Sequence, residues 1–176
     1  MTPTSPTLPA PAWEQRKFSE VFGTVDERGY SGLPVLSATQ DQGMVRRDET
    51  GRFISHDKNN ENGYKHILSG NFIVHLRSFQ GGLAHSPLEG IASPAYTVLS
   101  MLEPQEQDDI FWKHWFMSRR FIRSLATVTY GIRDGRSINV DELMDSLISF
   151  PSVLEQNTIS AVLDRLDALI TLHQRE

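Results

Sequence analysis

Two stretches of the chain carry a clear hydrophobic rhythm, and their periods differ. In GNFIVHLRSF (residues 70–79), Phe72, Val74 and Leu76 alternate with Ile73, His75 and Arg77, and β-branched and aromatic residues dominate. That alternation predicts a strand. In SVLEQNTISAVLDRLDALITLHQRE (residues 152–176), Ile159, Val162, Leu166 and Leu169 recur at spacings of three, four and three, with His173 next. This is an a/d seam on a helix, and Leu163, Ile170 and Leu172 widen it. Ser152 followed by Glu155 has the spacing of a capping box. A seam this wide needs cover, either from its own domain or from a partner.

Weaker signals fill in the rest. EQDDIFWKHWFMSRRFIRSLATV (106–128) reads as one helix, with acids at its start, bases towards its end and aromatic residues at three and four. YTVLSML (96–102) reads as a strand returning after the glycine turn QGG. GLPVLSATQDQGMV (32–45) reads as a short apolar strand and a polar loop. AWEQRKFSEVFG (12–23) suggests a short helix or turn with Gly23 as its stop. RRDETGRFISHDKNNENGY (46–64) is mostly loop, and TYGIRDGRS (129–137) is a glycine-punctuated basic loop. NVDELMDSLIS (139–149) reads as a short helix or a helix running into a strand, interrupted by Pro151. The first eleven residues hold four prolines and no charge, an extended leader. The expected organisation is therefore a flexible leader over 1–11, an α+β domain over 12–151 and a projecting helix over 152–176.

Composition narrows the class. The chain has 176 residues and no cysteine, which removes disulfides and thiolate metal sites and fits a reducing cytoplasm. No apolar run is long enough to span a bilayer, so no membrane role is expected. The net charge of −5 argues at first against nucleic acid, but its distribution reverses the argument. From Asp141 to Glu176 there are seven acids and two bases, whereas Lys113–Arg136 holds six bases and one acid. A local basic patch decides phosphate binding, whatever the total. The same arginines could also be a merely solvated face.

Candidate chemistry is sparse. The six histidines lie in no HExxH pattern and in no tight His–carboxylate cluster. His75 and His85 flank the glycine turn and could face each other across a hairpin. No phosphate-binding loop, nucleophile elbow or dinucleotide fingerprint occurs. The expectation is no catalytic residue, no metal site and no cofactor. Asn, Gln, Ser, Arg and Lys are the side chains that read base edges and hold phosphates, and the loops carrying SATQDQG, RSFQGG and TYGIRDGRS supply Gln, Ser and Arg.

Several stretches taken in order carry a family resemblance: VLSATQDQGMVRRDE, GYKHILSGNFIVHLRSFQGGLAHSPLEGIASPAYTVL, GIRDGRSINVDELMDSLISFP and LEQNTISAVLDRLDALITLHQRE. Together with AWEQRKFSEVFG they resemble the specificity subunit of type I restriction–modification systems. The first three are similar to a target recognition domain, and the last to the conserved helical region that follows it. The family's complete subunit usually has two recognition domains and two helical regions, and this chain resembles one of each, as a natural half-subunit, a truncated product or an excised fragment would. It departs from the family in ending at HQRE and in having Ser152 and Leu154 where Pro and Glu are frequent.

The resemblance implies a non-catalytic protein that recognises double-stranded DNA sequence for DNA adenine methyltransferase (modification) subunits and restriction/translocase subunits. Lys65, Arg77, Ser78, Gln80, Arg133 and Arg136 are the expected DNA contacts. Arg77 and Gln80 suit base edges; Lys65, Arg133 and Arg136 suit phosphates. Leu76 and Phe79 are expected in the core. Ile159, Val162, Leu163, Leu166, Leu169, Ile170 and Leu172 are the expected oligomerisation seam, covered by a second copy, another specificity polypeptide or a methyltransferase subunit. A stand-alone dimeric DNA-binding regulator, or a helical interaction protein that binds no DNA, remains an alternative on the residues themselves.

Overall fold

A computed structural model describes residues 13–50, 58–131 and 137–174. In chain order the elements are β1 (Glu14–Lys17), a 3-10 turn at Phe18–Glu20, β2 (Phe22–Val25), β3 (Leu36–Ala38) and β4 (Met44–Arg46). After 3-10 turns at Arg47–Thr50 and Lys58–Gly63 come β5 (Lys65–Ile67), β6 (Phe72–Val74), α1 (Ser78–Gly81), β7 (Ala84–His85), β8 (Gly90–Ala92) and β9 (Thr97–Met101). Then follow α2 (Asp109–Met117), α3 (Arg119–Ser124), β10 (Thr129–Tyr130), β11 (Ser137–Ile138), α4 (Val140–Asp145), β12 (Leu147–Phe150) and α5 (Val153–His173). The architecture is α+β, as the sequence predicts. Among the described residues no helix is long and apolar enough to cross a membrane.

An antiparallel sheet of order β2-β9-β6-β7 forms the centre, and the pairs β1-β12, β3-β4, β5-β8 and β10-β11 surround it. The alternation in β6 is expressed, but between two cores instead of core and solvent. Phe72 and Val74 join a cluster with Phe18, Phe22, Trp112, Phe116 and Phe150. Ile73 points the other way, to Leu36, Met44, Ile67 and Val98. A sheet covered on both faces buries every position of its central strand. β6 ends at Val74, and Leu76, expected in the core, lies beyond the strand and is 65% exposed. Phe79 is half-buried.

Three local expectations are corrected. The segment at 12–23 is two strands around a 3-10 turn, with Gly23 inside β2 paired to Ser100, so it stops nothing. Pairing of Glu14–Lys17 with Leu147–Phe150 overrides any helical preference there. The predicted helix over 106–128 breaks at Ser118, whose extended backbone (ψ 145°) ends α2 and whose side chain accepts from the Phe121 amide to start α3. The Ser152–Glu155 capping box does not form: Ser152 makes no side-chain cap bond, and Glu155 Oε1 accepts from Trp13 Nε1 at 3.3 Å.

His75 and His85 do not face each other. His85 pairs with Phe72 across β6 and β7, and its Nε2–H donates to Asp109 Oδ2 at 2.7 Å, tying β7 to the first turn of α2. That hydrogen bond is the main reason the Asp109 carboxyl titrates below its ordinary value; burial opposes it. A depressed carboxyl pKa contributes stability above the unfolded value, about 4, which is lost as pH falls through the folded value. Asp109→Asn is therefore expected to lower the urea midpoint at neutral pH, and the deficit should shrink below about pH 4. A deficit independent of pH, in urea melts from neutral to acid, would refute the charge-assisted tie.

Candidate nucleic-acid interface

α1 is a single turn built from RSFQGG, and one buried hydroxyl shapes it. Ser78 is fully buried; its Oγ accepts from the His75 amide at 2.9 Å, while its own amide donates to the His75 carbonyl at 3.0 Å. Gly82 closes the turn at φ +85°, and a Cβ there would collide with the Phe116 carbonyl oxygen, so α1 sits directly against the end of α2. The turn is thereby fixed at both ends. Burial, and secondarily the charge of Arg77, push the His75 imidazole down, so the base of the turn is uncharged at neutral pH. Arg77 and Gln80 project from this fixed frame, exposed, with no side-chain hydrogen bond or ion pair among the described residues.

The expected contact residues separate once folded. Arg77 and Gln80 lie on the surface as required. Ser78 is a correction: its hydroxyl is consumed by the turn and offers nothing to a ligand. Lys65 is a second correction, since its Nζ donates to the Tyr96 carbonyl at 2.8 Å and lies 3.5 Å from Asp26 Oδ2. Asp26 is held down at about 2, chiefly by its bond from Arg28 and also by Lys65. A lysine bound on two sides is poorly placed to hold a phosphate. Arg133 and Arg136 lie outside the described residues. Their flanks do not: β10 and β11 pair antiparallel, and α1 packs beside both β11 and α3.

That last contact brings in arginines that belong to the basic stretch Lys113–Arg136 but are not among the expected DNA contacts. α3 presents Arg119, Arg120 and Arg123, all exposed and none in an ion pair among the described residues. The charge count over Lys113–Arg136 was the signal; their closeness to α1 was not visible in one dimension. Exposed arginines without an acidic partner retain their full capacity for phosphate oxygens.

The helical seam also divides. The first half of α5 packs on α2, with Gln156 and Ser160 buried and Ile159 against the main core. Gln156 Oε1 accepts from the Asp108 amide at 2.9 Å, and Ser160 Oγ donates to Asp108 Oδ2. His114, which showed no carboxylate neighbour in the sequence, meets Asp164 at 2.9 Å and Asp167 at 4.0 Å across the same contact. Leu163 is half-buried on this side. Val162, Leu166, Leu169, Ile170 and Leu172 are exposed, although Leu166 and Ile170 lie two turns beyond Ile159 and Leu163 on the same face. The first part of α5 is thus covered by its own domain, and the seam beyond it is not.

No protein-family model matches the sequence, and comparison with curated proteins gives no match. Solved structures do match in fold. The HsdS subunit from Thermoanaerobacter tengcongensis superposes with a TM-score of 0.65 at 16% identity, over 97% of this chain and 46% of that one. A chain from a structure describing complex assembly and conformational transition of the type I R-M system gives 0.66 at 19%, again over 97% and 46%. The S subunit of the type I restriction–modification system from M. genitalium gives 0.58 at 14%, over 96% and 42%. This chain therefore has the fold of type I S subunits and spans somewhat less than half the length of these chains.

Proposed function

We propose that the chain is a sequence-specific double-stranded DNA recognition module of the type I specificity kind, carrying one recognition domain and one spacer helix. The observation that carries this reading is the α1 turn. A buried frame holds Arg77 and Gln80 outward beside the arginines of α3, which have no ion pair among the described residues, and the base of the β10–β11 hairpin. Fixed geometry is what bidentate base reading needs, and exposed arginines suit phosphate oxygens. The fold shared with S subunits supports the same reading. On it, the chain supplies recognition, and methylation and cleavage belong to modification and restriction subunits. The uncovered part of α5 is the docking seam for a second copy or for another specificity polypeptide.

The experiment is a salt titration of binding to duplex DNA, made on the chain in the complex it forms in its own cell. Arg119→Ala and Arg123→Ala should each weaken binding to all sequences alike and lower the salt slope by roughly one unit per lost phosphate contact. Arg133→Ala and Arg136→Ala should behave in the same way. Binding that ignores salt, or is absent at low salt, would favour an interaction protein that does not touch DNA.

A further inference from the structure

Resting on that reading, we infer that the tip of the β3–β4 hairpin is a second base-reading element, with Gln40 and Gln42 as specificity-determining residues beside Gln80. The tip is tightly built. The Thr39 amide and hydroxyl both donate to the Gly43 carbonyl at 2.8 Å, and the Gln42 amide donates to the Thr39 hydroxyl at 3.0 Å. Gly43, at φ +73°, lies so close to His85 that a Cβ would strike the His85 carbonyl oxygen. On its other side the tip touches α1: a Cβ on Gly81 would lie 2.9 Å from Gln40 Cγ and 3.0 Å from the Gln40 carbonyl oxygen. The two glycines thus let the hairpin tip close onto β7 and onto the turn that carries Gln80.

The side chains on this anchored tip are unused. Gln40, Asp41 and Gln42 are exposed, and none makes a side-chain hydrogen bond among the described residues. Thr39 and Gly43 are sufficient to make the turn, so the two amides are not needed for it. Each glutamine amide offers a donor and an acceptor side by side, the pattern that matches the N6 and N7 edge of adenine. Asp41 decides between backbone and base contact. A carboxylate at the tip repels phosphates, but it can accept from the cytosine amino group. The charge sign therefore assigns the tip to base edges and the arginines of α3 to the backbone.

The test is selection of preferred duplexes from a randomised DNA pool by the complex carrying this chain, wild type against Gln40→Ala, Gln42→Ala and Gly81→Ala. Both glutamines are exposed, so those variants should melt like wild type. Each should lose preference at one base position by roughly 5- to 150-fold, with random-DNA affinity and salt slope unchanged. The positions should differ from those lost in Gln80→Ala. Gly81→Ala, which must displace the tip, should disturb both sets. A wild-type motif that survives Gln40→Ala and Gln42→Ala unchanged overturns this inference and leaves the DNA reading standing. No selected motif from the wild-type complex overturns both.

Discussion

Leu166→Asp combined with Leu169→Asp is expected to leave the chain monomeric under conditions where the wild type associates, with a melting temperature equal to the wild type's at concentrations where both are monomeric. The two leucines are 49% and 58% exposed, on the part of α5 that its own domain leaves open. Full burial of a leucine is worth about 1.5–3 kcal/mol. A symmetric pair covers both residues twice, and about half of each side chain is already covered, so roughly 3–6 kcal/mol of association energy is at stake. That corresponds to a dissociation constant weaker by about two to four orders of magnitude, before counting the penalty of placing aspartates in the contact. The equal melting temperature of the monomers separates lost docking from unfolding. Sedimentation of the wild type as a strict monomer at micromolar concentration, with no shift when a modification subunit is added, would remove the seam from the account.

Trp112→Ala should have the largest effect on stability. Trp112 is fully buried, with ring centroids 5.1 Å from Phe22, 5.4 Å from Phe116 and 5.3 Å from Phe150. It therefore joins β2, α2 and β12 at one point. Truncating such a residue costs about 3–5 kcal/mol, a large share of the total stability of a single domain. Its Nε1–H also donates to Gln107 Oε1 at 3.0 Å, the oxygen that accepts from Gln156 Nε2 on α5. Losing the tryptophan thus loosens the attachment of α5 as well as the core. Calorimetry should show a melting temperature lower by roughly 10 °C or more. Leu76→Ala, at an exposed position, should shift it little. Equal effects of the two substitutions would mean that the core is misplaced.

Periodicity made part of this fold legible. The alternation at 72–74, the returning strand before Glu103 and the long helix of α5 all follow from local pattern, whichever core their apolar positions join. What escaped was decided by partners far along the chain. Glu14–Lys17 becomes a strand because Leu147–Phe150 is there to pair with it. The Glu155 carboxylate accepts from Trp13, distant in sequence, and not from the Ser152 amide as a capping box would require. The site divides in the same way. Lys65, Arg77, Ser78 and Gln80 are equally polar as letters, and only folding shows Lys65 and Ser78 consumed by internal bonds and Arg77 and Gln80 exposed, with no side-chain bond among the described residues. The arginines of α3 were visible as charge, but their nearness to α1 is a tertiary fact. The resemblance to S subunits holds at the level of fold.

Comparing cognate and random duplex affinity for Gln80→Ala tests the central claim most directly. The cognate sequence is the one selected by the wild-type complex, and both affinities are measured at one salt concentration. If α1 reads base edges, the substitution costs about 1–3 kcal/mol on the cognate duplex and little on the random one. Equal loss on both would make Gln80 a backbone contact, and no loss on either would place the DNA-reading face elsewhere on the domain.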